Sequence, residues 1–132
     1  MGDFDGFINP EPIAQPESAE FWDALGKGRF LIKHCSECDR AHWYPRARCP
    51  FCFSDTTEWR EASGNGEIYS YSVMRKAKNP YILAYVTLDE GPTMMTDIVG
   101  ADPDRLTTGT RVRMKIGTTA EGTSVPLFTP AD

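Results

Sequence analysis

Four cysteines, set as two C-x-x-C pairs ten residues apart, constrain this chain more than any other feature of its sequence. The pairs are Cys35/Cys38 and Cys49/Cys52, within the stretch from His34 to Ser54. Each C-x-x-C turn directs two thiolates at one point, and two turns together close a tetrahedral four-sulfur shell suited to a borderline-soft cation such as zinc. Pro50 stiffens the second turn. Two disulfides would need an oxidising compartment, and nothing in the sequence indicates one. A thioredoxin-like redox pair explains one C-x-x-C and leaves the other unused. Iron can occupy the same sulfurs, with metal availability deciding. The paired spacing selects structural zinc held by Cys35, Cys38, Cys49 and Cys52. The residue after each pair, often glycine in such knuckles, is Asp39 in one case and Phe53 in the other. Asp tolerates a left-handed backbone and Phe does so poorly, which predicts a distorted second knuckle. His34 and His42 flank the cysteines, but four thiolates already complete the shell. Both are expected to be packed or solvated.

At 132 residues the chain makes one compact domain or two very small ones. Residues 1–12 are acidic and contain proline, with neither a basic nor an apolar leader region, so no secretory signal is read there. Gly2 suggests myristoylation, but Gly6 stands where that motif wants Ser or Thr. No apolar run is long enough to span a membrane. With reduced, metal-bound cysteines, these features predict a cytoplasmic protein. The 14 Lys and Arg are outnumbered by 19 Asp and Glu, giving a net charge of −5, which disfavours a phosphate-backbone binder.

In order, residues 1–28 read as an extended arm followed by a short helix. Pro16 suits the first helical position, Glu17 and Glu20 favour the positive end of the dipole, and Gly26 or Gly28 can end the helix. Phe21, Trp22 and Leu25 share one face, packed on this chain or on a partner. Residues 29–62 read as the ribbon, with strands at Arg29–Lys33 and Thr57–Glu61. Residues 63–132 read as all-β. After the Gly64-Asn65-Gly66 turn, Glu67–Met74 alternates, with Tyr69, Tyr71 and Val73 on one side. Strands at Tyr81–Leu88, Thr93–Val99, Arg111–Ile116 and Val125–Phe128 follow. Five short strands with Gly-rich turns predict a closed barrel of the OB type, with a small sandwich as the alternative.

The segments FWDAL, CSEC…CPFC, GNGEIYSYSVM, LAYVTLDEGP, MTDIVG, GTRVRMKI and VPLFTPA, spread over roughly residues 17–130, resemble the zinc-ribbon/OB-fold, acyl-CoA-associated proteins. The resemblance implies a mainly β chain: a short helix, a rubredoxin-like ribbon and a five-stranded OB barrel. It further implies an accessory subunit bound to a thiolase, acyltransferase, hydroxymethylglutaryl-CoA synthase or side-chain-cleaving aldolase.

The residues themselves offer little independent catalysis. Acyl transfer needs a free activated cysteine with a nearby base, and the metal claims all four cysteines. Closed four-sulfur zinc leaves no position for an activated water. The residues therefore predict a chain that is not catalytic on its own, and the resemblance implies a subunit of a thiolase-like or other acyl-CoA-processing hetero-oligomer. Phe4, Phe7, Ile8, Phe21 and Trp22 are its candidate interface residues. No acid appears from Ile68 to Leu88, where Arg75, Lys76 and Lys78 cluster as candidate contacts for CoA phosphates. The rival function is a nucleic-acid module in which Trp43, Tyr44, Tyr69 and Tyr71 stack bases.

Overall fold

The computed structural model describes residues 11–13 and 15–131. One helix, α1 (Ala19–Gly26), precedes three short strands, β1 (Leu31–Cys35), β2 (Arg40–His42) and β3 (Thr57–Glu61). These form an antiparallel sheet in the order β2-β1-β3. Five further strands follow: β4 (Asn65–Met74), β5 (Tyr81–Leu88), β6 (Thr93–Ile98), β7 (Arg111–Thr118) and β8 (Ser124–Pro130). They close a barrel in the order β4-β5-β6-β8-β7, as expected for an OB fold. β6 and β8 meet in parallel at Ile98–Phe128, and the other four junctions are antiparallel.

The helix begins later than its proline suggested. Pro16–Ser18 form a turn, and Ala19 is the first helical residue. Ser18 uses its hydroxyl on that turn, accepting from the Gln15 N–H at 3.0 Å, rather than capping the helix. Gly28, at φ 84°, ends the element and donates its N–H to the Leu25 carbonyl.

An aromatic cluster joins helix, ribbon and barrel. Phe21 of α1 meets Trp43, from the segment after β2, at a centroid distance of 5.0 Å. Phe30, leading into β1, lies 5.5 Å from Trp43 and 6.3 Å from Phe128 of β8. Edge-on contacts of this kind add to the burial energy of large rings. Phe128, Ile68, Ile82, Val86, Met94, Ile98 and Val112 continue the same core through the barrel.

β4 departs from simple alternation. Ile68 pairs with Val86 but Ser70 pairs with Tyr85, so Tyr69 is an extra residue at a bulge. The bulge separates the side chains expected on one face. Tyr69 is 69 % exposed, whereas Tyr71 turns inward and donates its hydroxyl to the Leu106 carbonyl at 2.8 Å. Gly66 also differs from its sequence reading. It lies within β4 rather than in a turn, and a Cβ there would come within 2.6 Å of the Thr87 carbonyl oxygen. Gly64, at φ 84°, is the residue that makes the turn.

Candidate metal centre and flanking surfaces

The first C-x-x-C sits where β1 turns into β2, and the second lies in the loop between β2 and β3. Pairing of Cys35 with Arg40 on one side and Thr57 on the other fixes the first turn against the sheet. The second turn is tied by the Cys49 N–H to the Ser54 carbonyl and the Phe53 N–H to the Cys49 carbonyl, both at 2.9 Å. The sulfurs of Cys35, Cys38, Cys49 and Cys52 all lie within 4.8 Å of one another. The Cys35–Cys52 and Cys38–Cys49 separations are each 3.7 Å. A tetrahedral metal with bonds of about 2.3 Å to sulfur places its ligands about 3.8 Å apart, so the four cysteines are positioned to hold a metal ion.

Both post-cysteine residues take the left-handed backbone of the knuckle, Asp39 at φ 56° and Phe53 at φ 65°. The second knuckle therefore keeps its turn, and Phe53 carries the strain. Within the second turn the Phe51 N–H faces the Cys49 sulfur at 3.3 Å. His34 steadies the first turn, with its Nε2 3.0 Å from Asp39 Oδ1.

The thiols respond unequally to this crowding. Burial and the neighbouring thiols push Cys38 up to about 12. Burial also opposes ionisation of Cys49, yet the N–H groups of Cys52 and Phe51 bring it down to about 7. Backbone donation, first from Cys38, lowers Cys35. Such a set cannot carry four thiolates without a cation among them, which is the chemistry of a structural metal site.

The other expected site residues are dispersed. Phe21 is 2 % exposed inside the chain's own core, which removes it from any docking surface in this conformation. Packing of α1 on Phe30 and Trp43 is the physical reason. Trp22 is half-buried and lines a groove of about 390 Å³ with Tyr81, Leu83, Met95, Asp97 and Leu127. Burial raises the Asp97 carboxyl there to about 6. Phe4, Phe7 and Ile8 lie outside the described residues. Arg75, Lys76 and Lys78 occupy the β4–β5 hairpin, but Arg75 pairs with Asp104 at 3.2 Å. The acid-free stretch of sequence thus meets an acid in space, supplied by the 3-10 turn at Pro103–Arg105. Sequence reasoning missed Arg46, which lies on two cavities beside the second knuckle. Its neighbours Tyr44 and Arg48 were the signal that it had company.

A four-cysteine ribbon stitched by an aromatic cluster to a closed five-stranded barrel defines a zinc-ribbon/OB-fold protein. Residues 22–58 match the ChsH2 rubredoxin-like zinc ribbon domain and residues 59–117 match the ChsH2 C-terminal OB-fold domain. The chain belongs to this ChsH2 family, whose relatives include DUF35-domain proteins. A chain of the solved Ltp2-ChsH2(DUF35) aldolase is 30 % identical, with a TM-score of 0.81, over 92 % of this chain and 100 % of that one. A probable enoyl-CoA hydratase alpha subunit of Thermomonospora curvata is 30 % identical over 94 % of this chain and 40 % of its own length. A DUF35 domain-containing scaffold protein of Methanothermobacter thermautotrophicus is 34 % identical over 61 % of this chain and 65 % of its own. The chain thus spans less than half of that hydratase subunit and about two thirds of that scaffold protein. Among the described residues, no helix is long and apolar enough to cross a membrane.

Proposed function

We propose that this chain is a zinc-binding, non-catalytic subunit of an acyl-CoA-processing assembly, supporting both the assembly and its hold on CoA. The observation that carries the reading is the match, along the whole of the matched chain, to a component of the Ltp2-ChsH2(DUF35) aldolase. The scaffold and hydratase-subunit names of the other relatives point the same way. Zinc held by Cys35, Cys38, Cys49 and Cys52 has a complete shell with no place for an activated water, so its work is to fix the ribbon. The same binding takes up all four cysteines of the chain, leaving none as an acyl-transfer nucleophile. Carbon–carbon bond chemistry, or hydration, then belongs to the partner, an aldolase, hydratase or thiolase-like enzyme. CoA-phosphate contact by Arg75, Lys76 and Lys78 is a weaker element of the reading, because Asp104 neutralises part of that charge.

The nucleic-acid reading loses its stacking pair, since Tyr71 turns inward, half-buried and bonded to the Leu106 carbonyl, while Tyr69 stands outside. The test is reconstitution. The chain is purified alone and with the acyl-CoA enzyme that co-purifies with it, and acyl-CoA cleavage, condensation and hydration are assayed. The chain alone should be inert and the partner alone weak or insoluble. Full activity of the partner without the chain, or turnover by the chain alone, contradicts the proposal.

A further inference from the structure

A second site lies on the ribbon, away from the sulfurs. His42 is 5 % exposed, and neither Nδ1 nor Nε2 has a hydrogen-bond partner. Burial, then the nearby charges of Lys33 and Arg46, push its pKa down, so the ring stays neutral and offers one N–H and one lone pair. A buried donor and acceptor left unused in a folded protein point to a group that completes them. His42 lines a cavity of about 330 Å³ between the ribbon linker and the β5–β6 turn, with Trp43, Tyr44, Arg46, Phe51 and Thr93 on its walls. Its volume falls at the lower end of small-molecule sites.

The walls combine aromatic faces with a cation. Tyr44 is 55 % exposed and Phe51 45 %, each leaving part of a large ring open to solvent. Arg40 lies over Phe51 at 3.6 Å, adding a second cation at the rim. Arg46 also borders a neighbouring cavity of about 590 Å³ that carries Arg48 and Ala47. In that cavity the Ala47 N–H already donates to the Glu17 carboxylate at 2.8 Å. An incoming anion is therefore left to the guanidinium groups, with Arg48 also donating to the Phe53 carbonyl at 3.1 Å.

We infer that this cavity binds the nucleoside-phosphate end of a ligand, its base against Tyr44 and His42 and its phosphate on Arg46. A purine edge carries a donor and an acceptor, either of which can meet one nitrogen of a neutral imidazole, the two ring nitrogens pointing too far apart for one edge to meet both. Flat rings supply sequence-tolerant stacking, and arginine supplies the charge-assisted phosphate contact. The identity of the nucleotide as the adenosine phosphate of CoA rests on the acyl-CoA reading above; the existence of the site does not.

The test uses the zinc-loaded full chain, titrated with adenosine 3′,5′-bisphosphate and, separately, with inorganic phosphate, followed by nitrogen-15 NMR. The bisphosphate should shift the His42 ring and the Tyr44 and Arg46 signals saturably, and should bind more tightly than inorganic phosphate. Arg46→Ala should weaken it about tenfold and Tyr44→Ala about fivefold or more, each with zinc content unchanged. Shifts confined to the 75–78 hairpin, equal affinity for inorganic phosphate, or unchanged binding in the Arg46 and Tyr44 variants would each overturn the inference. Nucleotide binding by a chain that neither joins nor affects an acyl-CoA enzyme would instead count against the functional reading alone.

Discussion

Three side chains show how local physics sets this protein's behaviour. Cys49 is buried, and the N–H groups that face it bring its thiol down to about 7, which eases the ionisation that a metal ligand requires. Cys49→Ser should weaken zinc retention by at least about 100-fold, since even outer-shell changes at metal sites cost 10–100-fold. The ribbon should melt with the loss, because metal binding energy in so small a unit is folding energy; metal analysis and circular dichroism read both effects. Phe53 is 73 % exposed yet left-handed at φ 65°. Phe53→Gly removes strain of about 1–2 kcal/mol and returns roughly half of it as backbone entropy. A stabilisation of about 0.5–1 kcal/mol in denaturant titration is expected. Asp97 has its carboxyl raised to about 6 by burial in the groove. A raised carboxyl in the folded state means stability is full below the unfolded value near 4 and declines as pH climbs toward 6. Asp97→Asn should flatten that decline and, after allowance for solvent screening, stabilise the protein by about 1 kcal/mol at pH 7.5. An unchanged pH profile would contradict the assignment.

At the scale of elements, the strands were readable where periodicity and turn chemistry agreed. β3 and β5 lie where alternation and apolar runs placed them, and the five strands after the ribbon close the expected barrel. What could not be read was the bulge in β4. One unpaired residue at Tyr69 reverses the facing of everything after it, and that depends on pairing with β5, a partner the alternation of β4 alone does not reveal. Gly66 is similar: its sequence says turn, but a close approach of β5 requires it within a strand. The four sulfurs were legible because spacing alone brings them together, whereas the His42 cavity needed the fold to place Thr93 beside Trp43 and Tyr44. Sequence separation also hid the pairing of Arg75 with Asp104. The helix was recognised by its apolar stripe, and the structure assigns Phe21 to the central aromatic cluster. Phe21→Ala should therefore cost about 3–5 kcal/mol and loosen the helix from both ribbon and barrel. A small loss, below about 1 kcal/mol in denaturant titration, would mean that the cluster does not bind the three elements together.

For the whole molecule, one core runs from α1 through Phe30, Leu31 and Ile32 of the ribbon into the barrel, so helix, ribbon and barrel hold one another in place. This arrangement suits a rigid adaptor better than a pair of independent modules, since the ribbon's cavity wall includes Pro92 and Thr93 from the barrel. On a chain whose net charge is −5, Arg46 and Arg48 place two cations beside the second knuckle. The central claim is that the chain acts as a zinc-bearing subunit of an acyl-CoA enzyme. Native mass spectrometry of the chain co-expressed with the acyl-CoA enzyme that co-purifies with it tests that claim most directly. The account predicts a defined hetero-oligomer with one zinc for each copy of this chain. A free, metal-free chain beside an enzyme that assembles without it would contradict the account.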